Sequence, residues 1–224
     1  MKELFLNDFI THYGIISPDV VADEYVVQLE PFELGDSDVC PVVKDGEGQL
    51  RMHNVEGGIN VFAYDRFVTS CKKPKSFQKN RKRCDVVVTT RANNLLVCLI
   101  EFTSAIGNTR NLYEPILKKN GAIQYPGGKM EKIGVQLTES LRTMLDVPAV
   151  ASEMKRRVNR VCVAAYRIYP AIDPEIRMRY PDNTYKMVEA RETGEYGAIL
   201  SMPSMENLGF EYRRVAYPTT LRIV

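Results

Sequence analysis

One stretch constrains this chain more than any other: residues 81–101, RKRCDVVVTTRANNLLVCLIE. A basic approach leads to Asp85, which opens an apolar run; a polar turn follows, then a second apolar run ending on Glu101. Val86 to Val88 and Leu95 to Ile100 are continuously apolar rather than alternating, the pattern of strands covered on both faces. A buried β-hairpin with a carboxylate on each arm is the expectation. In an antiparallel pair, residues directly opposite share a face, so Asp85 faces Glu101 when Thr90 pairs with Leu96 or Arg91 with Leu95. Those pairings leave loops of five or three residues. A two- or four-residue loop, such as a turn on Asn93-Asn94, would send the acids to opposite faces unless a bulge restored the register.

Two carboxylates at the ends of neighbouring strands suit Mg²⁺ or Mn²⁺, which binds through one or two protein oxygens and keeps waters for a substrate phosphate. The plainer alternative is that Asp85 pairs with Arg81 or Arg83 and that Glu101 marks the place where a strand surfaces. Seven bases lie in the twelve residues before Asp85's neighbour Cys84: Lys72, Lys73, Lys75, Lys79, Arg81, Lys82 and Arg83. This density, with Pro74, excludes a stable strand and reads as a loop able to neutralise nucleic-acid phosphates. Phe77 is placed to stack on a base.

At 224 residues the chain suits a single domain with its own core. Residues 1–60 hold 12 acids against three bases, a balance of −9, whereas the remainder is +11. The basic side fits a polyanion, and the acidic portion is either a solvated face or a dock for a protein partner. No apolar run approaches the roughly 18 residues of a membrane span. The first residues lack a signal-peptide core, and the five scattered cysteines fit free thiols in a reducing compartment. The expected location is therefore cytoplasmic, without a membrane partner; self-association is left open.

Along the chain, residues 2–13 carry Leu4, Phe5, Phe9, Ile10 and Tyr13 at helical spacing, ended by Gly14. Ser17-Pro18-Asp19 reads as a helix start, Glu24 to Leu29 as a strand, Glu33 to Pro41 as an acidic loop and Ile59 to Ser70 as another strand. Lys129 to Asp146 is the clearest helix, with Met130, Ile133, Leu137, Leu141, Met144 and Leu145 on one stripe and Pro148 closing it. Ser152 to Arg160 reads as a short basic helix, and Val161 to Tyr169 as a strand. Hairpin, helix and strand in this order give an α/β core with a right-handed crossover. Pro170 onward is turn-rich, including Tyr180 to Tyr185 and Thr193 to Gly197, with strand-like Glu211 to Tyr217 and Leu221 to Val224.

The segment Arg83-Cys84-Asp85 entering a strand, Val97 to Thr103 on the next, and the helix Lys132 to Leu141 together resemble the PD-(D/E)-x-K, or restriction-endonuclease-like, nuclease superfamily. The resemblance spans residues 81–169. It implies a mixed central sheet flanked by helices, with β-hairpin elaboration at the C-terminal end, within one domain: an acidic portion 1–60, a nuclease-like core 61–169 and a β-rich portion 170–224. It further implies that Asp85 and Glu101 hold Mg²⁺ or Mn²⁺ and that Gln136 supports the site. The motif lysine is replaced by Thr103, so a catalytic lysine would come from the helix, as Lys129 or Lys132. Glu33 is a candidate additional acid. Phosphodiester hydrolysis is the expected activity; the alternative is a catalytically silent subunit of the same fold, binding nucleic acid or a protein, with a defence role implied by resemblance alone.

Overall fold

The structure is a computed structural model describing residues 1–16, 19–37, 39–53, 55–71, 82–179 and 197–222. The basic residues Lys72, Lys73, Lys75, Lys79 and Arg81, the helix start at Ser17-Pro18 and the turn-rich 180–196 lie outside the described residues.

Continuous apolar runs become the middle of a mixed seven-stranded sheet. Its strands are β1 (Glu24–Val27), β5 (Ile59–Phe62), β6 (Val86–Thr90), β7 (Leu96–Ile106), β10 (Asn159–Tyr169), β11 (Ala198–Leu200) and β12 (Glu211–Ala216), in the order β1-β5-β6-β7-β10-β12-β11. Neighbours from β1 to β7 are antiparallel; β10 runs parallel to both β7 and β12, and β11 is antiparallel to β12. The chain is thus a mixed α/β protein. Strands β11 and β12 extend this sheet beside β10 instead of resting on it.

Both faces of the sheet are covered, which is why β6 and β7 read as unbroken apolar runs. Val97, Leu99 and Ala105 pack on one face against the long helix Gly128–Leu145 and the N-terminal helix of residues 2–12. Leu96, Cys98, Ile100 and Phe102 face the opposite layer, built on a small four-stranded sheet. That sheet joins β2 (Phe32–Leu34), β3 (Val42–Val43), β4 (Leu50–Met52) and β13 (Thr220–Leu221). Met130, Ile133, Leu137, Leu141 and Met144 are all buried under the long helix. Each contributes roughly 1.5–3 kcal/mol relative to exposure.

Several elements differ from the sequence reading. Residues 59–70 are not one strand: β5 stops at Phe62, and Tyr64–Ser70 is a helix whose Tyr64, Phe67 and Val68 are buried. Phe67 joins Phe5, Phe9 and Phe62 in an aromatic cluster, with Phe5 stacked on Phe62 at 4.6 Å between centroids. Tertiary packing of these rings outweighs the strand propensity of the local sequence. Pro148 does not merely close the long helix; it occupies the first turn of the next helix, Pro148–Lys155, where its missing N–H costs nothing. The acidic loop contains β2, whose three residues are all buried. A further pair, β8 (Ile116–Leu117) and β9 (Ile123–Tyr125), forms a separate two-stranded ribbon before the long helix. All five cysteines are free thiols. Among the described residues, no helix is long and apolar enough to cross a membrane.

Candidate functional site

The hairpin register decides whether the two acids meet. Val86 pairs with Ile100, Val87 with Leu99 and Thr89 with Val97 across a five-residue loop; Asp85 lies just before the paired strand, its amide donating to the Ile100 carbonyl at 3.1 Å. Arg157 fixes that loop from the far end. Its guanidinium, 8% exposed, donates to the carbonyls of Thr90 (3.0 Å) and Asn93 (2.9 Å) and is paired with Glu153. The Val158 and Asn159 amides donate to the carbonyls of Asn94 and Leu95. Alternation along β7 puts Glu101 with Leu99 on the face covered by the long helix, and Asp85 lies close enough for its charge to act on Glu101 there.

That helix also pins the chain entering Asp85. Ser140 Oγ accepts from the Cys84 amide at 2.6 Å, and Gln136 Nε2 donates to the Arg83 carbonyl at 3.2 Å. Gln136 Nε2 also donates to Glu101 Oε1. Asp85 Oδ2 accepts from the Phe102 amide at 2.7 Å, and its backbone carbonyl accepts from the Asp65 amide. Each carboxylate is held by one oxygen. Glu101, only 6% exposed, is left with Oε2 buried and without a hydrogen-bond partner, and Gln136 Oε1 is in the same condition.

Burial dominates the electrostatics. It raises the Asp85 carboxyl to about 7, with Asp36 and Asp65 adding to the rise and the Phe102 amide and Lys132 opposing it. Burial followed by the charge of Asp85 drives Glu101 higher still, against Lys132. Two like charges at one end of a buried hairpin cannot both ionise cheaply without a cation. A divalent ion is the group that this donor set fits: two carboxylates, a buried carboxylate oxygen without a partner and a buried amide oxygen beside it. Among the described residues, no three His, Cys, Asp or Glu side chains converge as a metal cage. The remaining positions on an ion would thus fall to water, backbone or substrate oxygens.

The two candidate lysines separate clearly. Lys129 Nζ donates to the Ser104 carbonyl (2.8 Å) and to Asn111 Oδ1 (3.0 Å), so it braces the end of β7. Burial, then Lys132, pushes its ammonium pKa down. Lys132 lies one turn before Gln136 on the same helix face, is exposed, and favours the ionised form of both Asp85 and Glu101. Thr103 follows Glu101 on the same face of β7, and its carbonyl accepts from Gln49 Nε2 at 3.0 Å.

Other expected residues are placed elsewhere. Glu33 is not beside the pair: it is buried in β2, where Oε2 accepts from the Gly46 and Gly48 amides and Oε1 from the Tyr217 hydroxyl. Arg83 is engaged by Asp65 and by Thr69 Oγ1. The Lys82 ammonium lies over the Tyr125 ring at 4.2 Å from the centroid. Within the acidic N-terminal portion, Asp23, Glu24, Glu30, Glu33 and Asp45 are each in an internal ion pair. The acids that act on the site from outside the hairpin are Asp36 and Asp65. Asp65 was hidden within a segment that reads as strand; its signal is an acid in the first turn of a helix.

Set beside known proteins, the chain matches no protein-family model, no curated protein and no solved structure. What fold and site define is a mixed α/β protein with a buried pair of neighbouring acids under a helix that presents a lysine and a glutamine to them.

Proposed function

We propose that the chain is a divalent-metal-dependent nuclease hydrolysing phosphodiester bonds, of the restriction-endonuclease-like type. The observation that carries this reading is the closeness of the buried Asp85 and Glu101 carboxyls at the end of the hairpin, where Lys132 acts on both. A hairpin bearing the acids, a helix covering them and a parallel strand beyond also support it, since this is the order the resemblance implies. Asp85 and Glu101 would hold the ion, Gln136 fixing Glu101 by Oε1 and leaving Oε2 as a buried oxygen without a hydrogen-bond partner. Bound Mg²⁺ or Mn²⁺ supplies Lewis-acid stabilisation and a more acidic water. Lys132 takes the role of the strand lysine replaced by Thr103, placing positive charge where the phosphate gains negative charge. Water attacks phosphorus, the P–O ester bond breaks, and the departing oxygen takes up a proton.

The test is cleavage of plasmid DNA and single-stranded RNA in Mg²⁺ or Mn²⁺, comparing the parent chain with an Asp85→Asn, Glu101→Gln double variant. Cutting should fall by about 10³-fold or more, with folding retained because both replacements are isosteric. Cutting that survives in the double variant, or no cutting by the folded parent with either ion, overturns the proposal. Thr103 at the motif-lysine position favours a second reading, a silent subunit that binds nucleic acid without cutting it. Salt-sensitive binding without cleavage is its signature.

A further inference from the structure

Among the described residues the ribbon β8–β9 pairs only with itself and belongs to neither larger sheet. From Leu117 to Gln124 every residue is exposed. Leu117 and Ile123 are register partners, 57% and 60% exposed. Between them the tip reads Lys118-Lys119-Asn120-Gly121-Ala122. Gly121 takes φ +82 and donates to the Lys118 carbonyl at 2.9 Å, closing the turn.

A two-stranded ribbon is marginal in water by itself, so its root must hold it. Tyr125 is buried and its ring carries the Lys82 ammonium. Gly128, at φ +69, lies so near the Leu112 and Glu114 carbonyls that an added Cβ would come within 2.6 Å of each oxygen. The ribbon is therefore seated firmly at its base and projects at its tip. It runs directly into the long helix, and Gln136 lies eight residues past Gly128, about 12 Å along the helix axis.

An exposed apolar pair that covers nothing among the described residues marks a contact surface, and the local charge selects the partner. Between Asn108 and Gly128 the bases are Arg110, Lys118 and Lys119, and the single acid, Glu114, is paired with Arg179. Such a balance favours a polyanion over an acidic-residue-poor protein face. The shape narrows it further: a two-stranded ribbon enters the roughly 12 Å wide major groove of B-form DNA, whereas the A-form groove of duplex RNA is too narrow.

We infer that β8–β9 is a groove-reading ribbon for double-stranded DNA, with Lys118 and Lys119 on phosphates and Leu117 and Ile123 against base edges. As the positioning element for the cutting site it rests on the nuclease reading. A duplex engaged by the ribbon is presented to the end of the sheet where Asp85, Glu101 and Lys132 lie.

Fluorescence anisotropy of the full chain, without divalent ion, with a labelled duplex DNA, the same sequence as duplex RNA, and single-stranded DNA tests this. A Lys118→Ala, Lys119→Ala variant should bind duplex DNA at least tenfold more weakly near 0.15 M salt, and the slope of log affinity against log salt should fall by about 2. A Leu117→Ser, Ile123→Ser variant should lose several-fold in affinity with its salt slope unchanged. Circular dichroism should show both variants folded, since the substituted side chains are exposed. Wild-type affinity in both variants, no duplex binding by the parent, or equal preference for RNA duplex or single strands overturns the inference. Asp85→Asn, Glu101→Gln separates the two proposals. Ribbon-dependent duplex binding in a chain that cuts nothing sustains the ribbon and sinks the nuclease, while metal-dependent cutting indifferent to the ribbon variants does the reverse.

Discussion

The two ends of the β6–β7 hairpin carry buried charge in opposite ways. At the turn end, Arg157 is enclosed yet paired: Glu153 balances its charge and the carbonyls of Thr90 and Asn93 accept from Nη1, although Nε is buried without a partner. At the acid end, Asp85 and Glu101 are like charges, each supported through one oxygen and opposed by burial. The same two strands thus join an end where opposite charges balance to one where like charges do not. Stability resides at the first, and the unbalanced end is the one worth reading for chemistry.

The largest effect that would break this contrast is at the turn. Arg157→Met should cost about 3–5 kcal/mol in urea unfolding, because Glu153 and two turn carbonyls lose a buried partner. A loss below about 1 kcal/mol would mean that Arg157 does not set the register.

The acid end should respond with the opposite sign. Because both carboxyls titrate higher in the folded chain than in the unfolded one, their contribution to stability is complete below about pH 4 and is lost as pH rises, through about 7 for Asp85 and about 10 for Glu101. Without divalent ion, Glu101→Gln should therefore gain about 2–4 kcal/mol over the parent at pH 8 and almost nothing at pH 4. Mg²⁺ should stabilise the parent at pH 8 and leave Glu101→Gln nearly unmoved. Equal stability of parent and variant at both pH values would remove the distinction between the two ends.

The smallest stability effect belongs to Lys132. Its exposed side chain predicts a Tm change within about 2 °C for Lys132→Ala, beside a drop in cleavage of about 10²-fold. Lys129→Ala, which removes the brace on Ser104 and Asn111, should lower the Tm more and the turnover less. Reversal of that order would assign the borrowed lysine to Lys129.

How far the sequence carried the argument varies with the range of the forces involved. The core strands, the long helix and the candidate acids were legible, since apolar runs and 3.6-residue periodicity are local properties. The parity condition for Asp85 and Glu101 could be stated but not resolved, because the group that settles the turn is Arg157, more than sixty residues away from Thr90. Two lysines one turn apart looked equivalent until Ser104 and Asn111 took one of them. The helix Tyr64–Ser70 stayed hidden because its aromatics have strand propensity and only the Phe5 and Phe9 rings draw them inward. Glu33, attractive as an isolated acid, is accounted for by amides from a Gly-rich turn and by Tyr217, 184 residues downstream.

The parallel pairing of β13 with β4 bears on the order of assembly. Thr220 and Leu221 align with Arg51 and Met52, about 170 residues earlier. Gln49, just before β4, supports both the Asp36 amide and the Thr103 carbonyl. The small sheet therefore lacks one of its strands until nearly the whole described chain has left the ribosome. Contacts spanning so much sequence form late, so the nascent chain builds its central hairpin before it completes the layer on the hairpin's other face.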